Sequence, residues 1–77
     1  MYDPLADYLR QQSGSHHIMS FAEIERMVGS RLPPSSRKQR QWWGNDRYHS
    51  QSKDGWLAAG WQVDSIDQTR ETVTFRR

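Results

Sequence analysis

Apolar residues recur at helical spacing near the start of the chain. Leu5, Tyr8 and Leu9 fall on one face of a helix within the first fourteen residues. Asp3 can cap the first turn by accepting hydrogen bonds from free backbone N–H groups, and Gly14 can end the helix. The pattern therefore predicts a first helix over this segment.

The second predicted helix has the clearest local signal. It follows "HHIMS", which we predict to be a short extended segment. Ser20 and Glu23 have the spacing of a capping box, in which each side chain bonds the backbone N–H of the other residue. Four residues then form one apolar stripe before Gly29, namely Phe21, Ile24, Met27 and Val28.

A third helix is predicted after the proline pair in "SRLPPSSRKQ". Proline pushes the residue before it into an extended conformation, so the helical pattern stops there. Ser35 or Ser36 can cap a short helix that runs to about Trp43, and Gly44 can end it.

A fourth helix is predicted after a polar loop, from near Ser50 to Gly60. Trp56 and Leu57 are the residues that we expect to face inward. The pair Asp54–Gly55 near the middle should weaken this helix by roughly 1 kcal/mol relative to better helix formers.

The C-terminal residues have the alternation typical of strands. Trp61 and Val63, then Val73 and Phe75, recur at period two, and the polar segment "DQTRE" between them can turn. These two stretches predict a terminal β-hairpin.

The predicted order of elements is helix, short strand, helix, helix and hairpin, which is the order of a winged helix-turn-helix. We therefore predict an α+β fold for residues 1–77: a single small winged-helix-like domain of three to four short helices followed by a C-terminal β-hairpin. In such a domain the helix just before the hairpin, here "SQSKDGWLAAG", is presented to DNA.

The positive charge is concentrated in the middle of the chain. Residues 31–53 hold six cations and one carboxylate, a net charge of +5, whereas residues 1–30 carry −2 and residues 54–77 carry −1. This asymmetry is expected of a protein with a polyanionic partner, although a charged segment can also be a solvated face.

Other classes of site lack their residues. The chain has no cysteine, and no two of its three histidines have the i, i+4 spacing of a helical metal site, so we expect neither a metal nor a cofactor. No apolar run approaches the length of a membrane span, and the first residues, "MYDPLADY", are acidic rather than typical of a signal peptide. We expect a cytoplasmic protein with no membrane partner.

The adjacent tryptophans Trp42 and Trp43 cannot share a narrow helical stripe, because neighbouring side chains on a helix point about 100° apart. One indole can pack inward while the other lies near basic side chains, as a cation–π shelf or as a surface for an unstacked base. Alternatively, both are partly buried in the core with their N–H groups near the surface.

The candidate nucleic-acid-binding residues cluster in this central segment. Asn45, Ser50 and Gln51 could reach a base edge or a phosphate, but Asn45 can equally be a turn residue, Ser50 a helix cap and Arg37 a bridge to a carboxylate. The full candidate set is Arg37, Lys38, Arg40, Trp42, Asn45, Arg47, Ser50, Gln51 and Lys53.

Motifs along nearly the whole chain also resemble a widespread family of small uncharacterised bacterial and archaeal proteins that is also met in mobile elements. The shared pattern is F-x-x-I-E, L-P-x-S-x-R, W-W-x-N, W-x-x-x-G-W and V-x-F-R. The resemblance implies a single compact domain of this layout. The chain differs after "HSQ", where it has "SKDG" in place of the more regular helix that we expect of the family.

Two functions remain open. The first is a nucleic-acid-binding module, most readily for double-stranded DNA, that acts as a small regulator or accessory factor, and a two-fold homodimer is usual for such regulators. The second is a protein-binding adaptor or inhibitor that uses the same tryptophans and arginines as interface anchors. We expect no enzyme, because Asp46, His49 and Ser50 are too close in sequence to form a triad readily.

Overall fold

The structure, a computed structural model, describes residues 1–77 and contains four helices and a three-stranded antiparallel sheet. The predicted α+β class is therefore confirmed. Two 3-10 turns, Arg40–Trp43 and Leu57–Ala59, follow the third and fourth helices. The elements in chain order are α1 (Asp3–Arg10), β1 (His16–Ser20), α2 (Phe21–Val28), α3 (Ser35–Lys38), α4 (Gln51–Trp56), β2 (Gln62–Asp67) and β3 (Thr72–Arg76).

The sheet has the order β1-β3-β2, with β3 in the centre. The predicted hairpin is confirmed as β2 and β3, and the predicted extended segment is confirmed as β1, which pairs with the other side of β3. Phe75 lies opposite both His17 and Val63, and a bulge interrupts the register of β2 between Val63 and Ser65. Because Val73 and Phe75 are buried, one face of the sheet packs against the helices.

Helix α2 begins as the sequence predicts. The Ser20 hydroxyl accepts a hydrogen bond from the Glu23 backbone N–H at 3.0 Å, and the Glu23 carboxylate accepts one from the Ser20 N–H at 3.1 Å. Gly29 ends the helix in the left-handed conformation, with φ of 74°. The capping box and the glycine stop are confirmed.

The predicted ends of α1 are wrong. Asp3 is its first helical residue, and Tyr2 occupies the cap position without a side-chain hydrogen bond. Because Pro4 has no backbone N–H, the first turn has one free donor fewer that a cap would need to satisfy. The last helical residue is Arg10, and the N–H of the following Gln11 donates to the Tyr8 carbonyl in a tightened last turn. Gly14 lies in the turn beyond the helix, with φ of 86°.

The predicted third helix is divided into α3 and a 3-10 turn by Gln39, whose backbone is extended. Neither serine caps it: Pro34 occupies the cap position, and the Ser36 hydroxyl donates to the Pro33 carbonyl at 2.6 Å. The division accompanies a tertiary bond, in which the buried Trp43 indole N–H donates to the Ser36 carbonyl at 2.8 Å. A continuous helix would use the Ser36 carbonyl within its own backbone ladder.

The predicted fourth helix is irregular where the sequence predicts weakness. Helix α4 has π-helical geometry, with wider turns than an α-helix, and Gly55 within it has non-helical angles, φ −93° and ψ −106°. Gly60 then ends the following 3-10 turn with φ of 81°. Trp56 is buried as predicted, whereas Leu57 is only partly buried. No helix combines the length and the apolar composition that crossing a bilayer requires.

Both adjacent tryptophans pack on the core. Trp43 is 2 % exposed and stacks between Phe21, at a centroid distance of 4.7 Å, and Trp56, at 5.7 Å. Trp42 is half-buried at the edge of this cluster and meets Trp43 edge-on at 4.7 Å. The structure thus combines the two interpretations, because one indole is buried and the other lies between the core and the surface.

Arg37 joins two carboxylates from distant parts of the chain. Its Nε donates to Glu71 at 2.8 Å, its Nη1 donates to Glu25 at 3.1 Å, and its guanidinium lies 5.6 Å from the centre of the Phe21 ring. Glu25 also accepts the Leu32 backbone N–H at 2.8 Å. These contacts tie α3 to α2 and to the turn before β3.

The Arg37 bridge makes the fold sensitive to acid. The hydrogen bond from Arg37, followed by the one from Leu32, holds the pKa of Glu25 below its ordinary value. A folded-state pKa below the unfolded one stabilises the protein at neutral pH, and this contribution is lost as the pH falls through the folded-state pKa.

We therefore expect Glu25→Gln to reduce the free energy of unfolding at pH 7 by about 1.5 to 3 kcal/mol, the range for a hydrogen bond to a charged group. The loss of stability from about pH 5 downwards should also become shallower. Urea unfolding across this pH range measures both effects. Asp54→Asn, at an exposed carboxylate, is the control, and equal pH profiles for Glu25→Gln and the native chain would contradict the assignment.

Candidate functional site

The loop of residues 44–50 is organised around one carboxylate. Asp46 Oδ1 accepts hydrogen bonds from the backbone N–H groups of Tyr48, at 2.9 Å, and His49, at 3.1 Å. The His49 Nδ1 lies 3.0 Å from the same oxygen. These contacts, the His49 side chain first, lower the pKa of Asp46. Asp46 is therefore ionised at neutral pH and fixes the loop as an Asx turn does.

Two further side chains hold the ends of this loop. The Asn45 amide donates to the Val63 carbonyl at 3.0 Å and accepts from the Val63 N–H at 2.8 Å, so it pairs with the edge of β2. The Ser52 hydroxyl lies within hydrogen-bond distance of the carbonyls of Asp46 and His49. The loop is attached to the sheet at one end and to α4 at the other.

The fixed loop presents Tyr48 to solvent. This side chain is 93 % exposed, the largest exposed fraction among the large hydrophobic residues, and it lies between Arg47 and His49. Its exposure was not predicted from the sequence, because burial is the usual state of an aromatic residue in so small a chain. The available signal was its position between a cation and a histidine in a loop of polar composition.

Four cations of residues 38–53 are exposed and form no ion pair: Lys38, Arg40, Arg47 and Lys53. Arg47 and Lys53 come together in space, where they line an open groove of about 220 Å³ with Leu57 and Ala58. Arg37 differs from these four because two carboxylates already compensate its charge.

A larger open pocket, with a volume of about 520 Å³, has Asp46 and His49 of the same loop in its lining. Trp42 is its one hydrophobic lining residue. The others are polar and come from two facing segments: Ser35, Gln39 and Gln41 from one, and Asp46, His49 and Gln51 from the other. We call this space the Trp42 pocket.

Several predicted site residues have structural contacts instead of free side chains. Arg37 bridges two carboxylates, which was one of the two roles that the sequence allowed for it. Asn45 is hydrogen-bonded to the Val63 backbone. Gln51 is 7 % exposed and donates its Nε2 to the Trp42 carbonyl at 3.0 Å. Ser50 precedes α4 and is exposed, but its side chain does not cap the helix. The interpretation of Ser50 as a helix cap is therefore wrong.

The predicted cation–π shelf on Trp42 is not present. The two arginines that lie over aromatic rings are Arg37, above Phe21, and Arg77, 4.8 Å from the centre of the Trp61 ring. Trp42 instead has Tyr2, Trp43 and Trp56 as aromatic neighbours. No group of three histidine, aspartate or glutamate side chains has the arrangement of a metal site.

The loop, the groove and the Trp42 pocket lie in a chain that matches one family along almost its whole length. No curated protein and no solved structure matches it significantly. The matching family is described as a domain of unknown function, DUF7662, and its match covers residues 2–77. This agrees with the resemblance to an uncharacterised family noted in the sequence. The chain belongs to the DUF7662 family.

Proposed function

We propose that the protein binds nucleic acid, with double-stranded DNA as the main partner, and acts as a small regulator or accessory factor. The observation that carries the proposal is the set of four exposed cations without carboxylate partners in residues 38–53. The loop in the same stretch is fixed by hydrogen bonds to Asp46 and exposes Tyr48 to solvent. A DNA partner implies a cytoplasmic location.

The electrostatics favour a polyanion. A cation that already has a carboxylate partner must give up that contact to bind phosphate, whereas Lys38, Arg40, Arg47 and Lys53 have none to give up. Phosphate contacts of this kind provide most of the sequence-independent affinity for DNA and make it dependent on salt.

The order of elements supports a winged-helix interpretation. Strand β1 lies between the first two helices, and the sheet order β1-β3-β2 places the terminal hairpin beside it. In this interpretation α4 has the place of the recognition helix. Because α4 is short and its residues Gln51 and Ser52 are buried, we assign the contact with DNA to the preceding loop and to Lys53.

The roles of the candidate residues then divide into two groups. Lys38, Arg40, Arg47 and Lys53 contact phosphates, and Tyr48 contacts sugar and base edges. Arg37, Asn45 and Gln51 act through their internal bonds, since they hold α3, the loop and the Trp42 backbone in position. Ser50 is exposed beside the loop and adds a hydroxyl to this surface.

We expect Arg47→Ala and Lys53→Ala each to weaken binding to a random-sequence duplex. Each should also reduce the slope of log affinity against log salt by about 0.9, the effect of one lost phosphate contact. Fluorescence anisotropy with a labelled duplex, from about 50 to 300 mM salt, measures both quantities. Arg26→Ala removes an exposed cation outside this segment and is the matched control. Unchanged slopes for both loop-side variants would refute the assigned surface.

A protein partner is the second candidate, because an exposed tyrosine next to an arginine is also typical of interface hot spots. Tyr48→Ala separates the two. If the Tyr48 hydroxyl bonds a sugar or a base edge, this variant should bind duplex DNA up to about tenfold more weakly, the upper end of the range for one hydrogen bond. Its free energy of unfolding should stay within about 0.5 kcal/mol, since the side chain is exposed. Native DNA affinity in Tyr48→Ala would favour the protein partner.

A further inference from the structure

We infer that the Trp42 pocket takes one unpaired nucleobase of the bound nucleic acid, an inference that rests on the proposed function and specifies its ligand. The volume of about 520 Å³ is within the range of ligand sites. The loop of residues 44–50 contributes to both spaces, since Asp46 and His49 line the pocket and Arg47 lines the groove, so a single bound molecule can reach both.

The pocket walls have the chemistry that recognises a base. Trp42 supplies an aromatic wall, and stacking on such a ring is how proteins hold unpaired bases. Gln39, Gln41 and Gln51 line the space with amides, each of which has both a donor and an acceptor. Base edges also carry donors and acceptors side by side, so these walls are complementary to them.

Cations adjoin several of the lining residues in the chain, which favours a nucleotide over a neutral ring. Gln39 lies between Lys38 and Arg40 in the chain, and Asp46 is followed by Arg47. All three of these cations are exposed and unpaired. The lining itself holds the Asp46 carboxylate and no lysine or arginine, so the phosphates of a bound nucleotide would extend out of the pocket toward these neighbouring cations.

Internal hydrogen bonds fix two of the pocket walls. Gln51 is fixed by its bond to the Trp42 carbonyl, and Asp46 is fixed by its contacts with Tyr48 and His49. Preformed walls reduce the ordering that binding requires. A base within a duplex exposes only its edges, because its faces are stacked on its neighbours. The pocket therefore suits an extrahelical base, while the duplex on either side contacts the groove of Arg47 and Lys53.

The test compares three labelled DNA probes by fluorescence anisotropy: a paired duplex, the same duplex with one bulged adenosine, and the same bulge made abasic. We expect the adenosine bulge to bind about tenfold more tightly than either of the others, the effect of one stacked base. The double variant Gln39→Ala with Gln41→Ala should lose this gain and keep duplex affinity, because both side chains are exposed. Gln11→Ala, at an exposed glutamine outside the pocket, is the control.

The outcomes separate the inference from the proposed function. Duplex binding with its salt dependence, but with no gain from the bulged base, overturns the inference and leaves the function in place. An equal gain from the abasic bulge also overturns it, because DNA flexibility then explains the effect. Binding of the bulged adenosine probe alone supports the pocket and removes the preference for duplex. If no probe binds at low salt, both proposals fail.

A second measurement locates the base. The ¹H–¹⁵N spectrum shows one indole N–H signal for each of the four tryptophans, and Trp42→Phe identifies the signal of Trp42. We expect the adenosine bulge to shift this signal and the abasic bulge to leave it unchanged. A shift of equal size with both probes would contradict insertion of the base.

Discussion

The stacking of Trp43 between Phe21 and Trp56 is the contact on which the rest of the structure depends. A chain of 77 residues buries a smaller fraction of its surface than a larger protein does, so its large aromatic side chains must supply much of the core. Trp43 satisfies its own N–H at the Ser36 carbonyl, and this bond anchors the 3-10 turn beneath α3. The loop that follows starts from that fixed point, so the position of the exposed surface is determined by the core.

The five cations of residues 37–53 divide into two physical classes. Arg37 is held by two carboxylates and rests over Phe21, so its charge stabilises the packing of α2, α3 and β3. Lys38, Arg40, Arg47 and Lys53 extend into solvent with no such partner. Sequence alone counts all five as equivalent positive charges. The difference arises from Glu25 and Glu71, which come from elsewhere in the chain and approach only in the folded state.

The features predicted correctly depend on residues close together in sequence. The capping box joins Ser20 and Glu23, the hairpin has its own alternation and turn, and the weak point of α4 follows from Gly55 itself. The missed features depend on distant contacts. The break at Gln39 accompanies the bond of Trp43, the inward position of Gln51 reflects its bond to Trp42, and Asn45 pairs with Val63 across the fold. The exposure of Tyr48 is likewise set by the turn that Asp46 stabilises.

The pairing of Asn45 with Val63 has a consequence for association between molecules. Strand β2 lies at the edge of the sheet, and the outward N–H and C=O of an edge strand can template pairing with another chain. The Asn45 amide occupies both groups of Val63, and the adjacent bulge disturbs the strand just beyond them. One side chain thus gives this edge a local protection against intermolecular β-pairing and aggregation, as a short additional strand would.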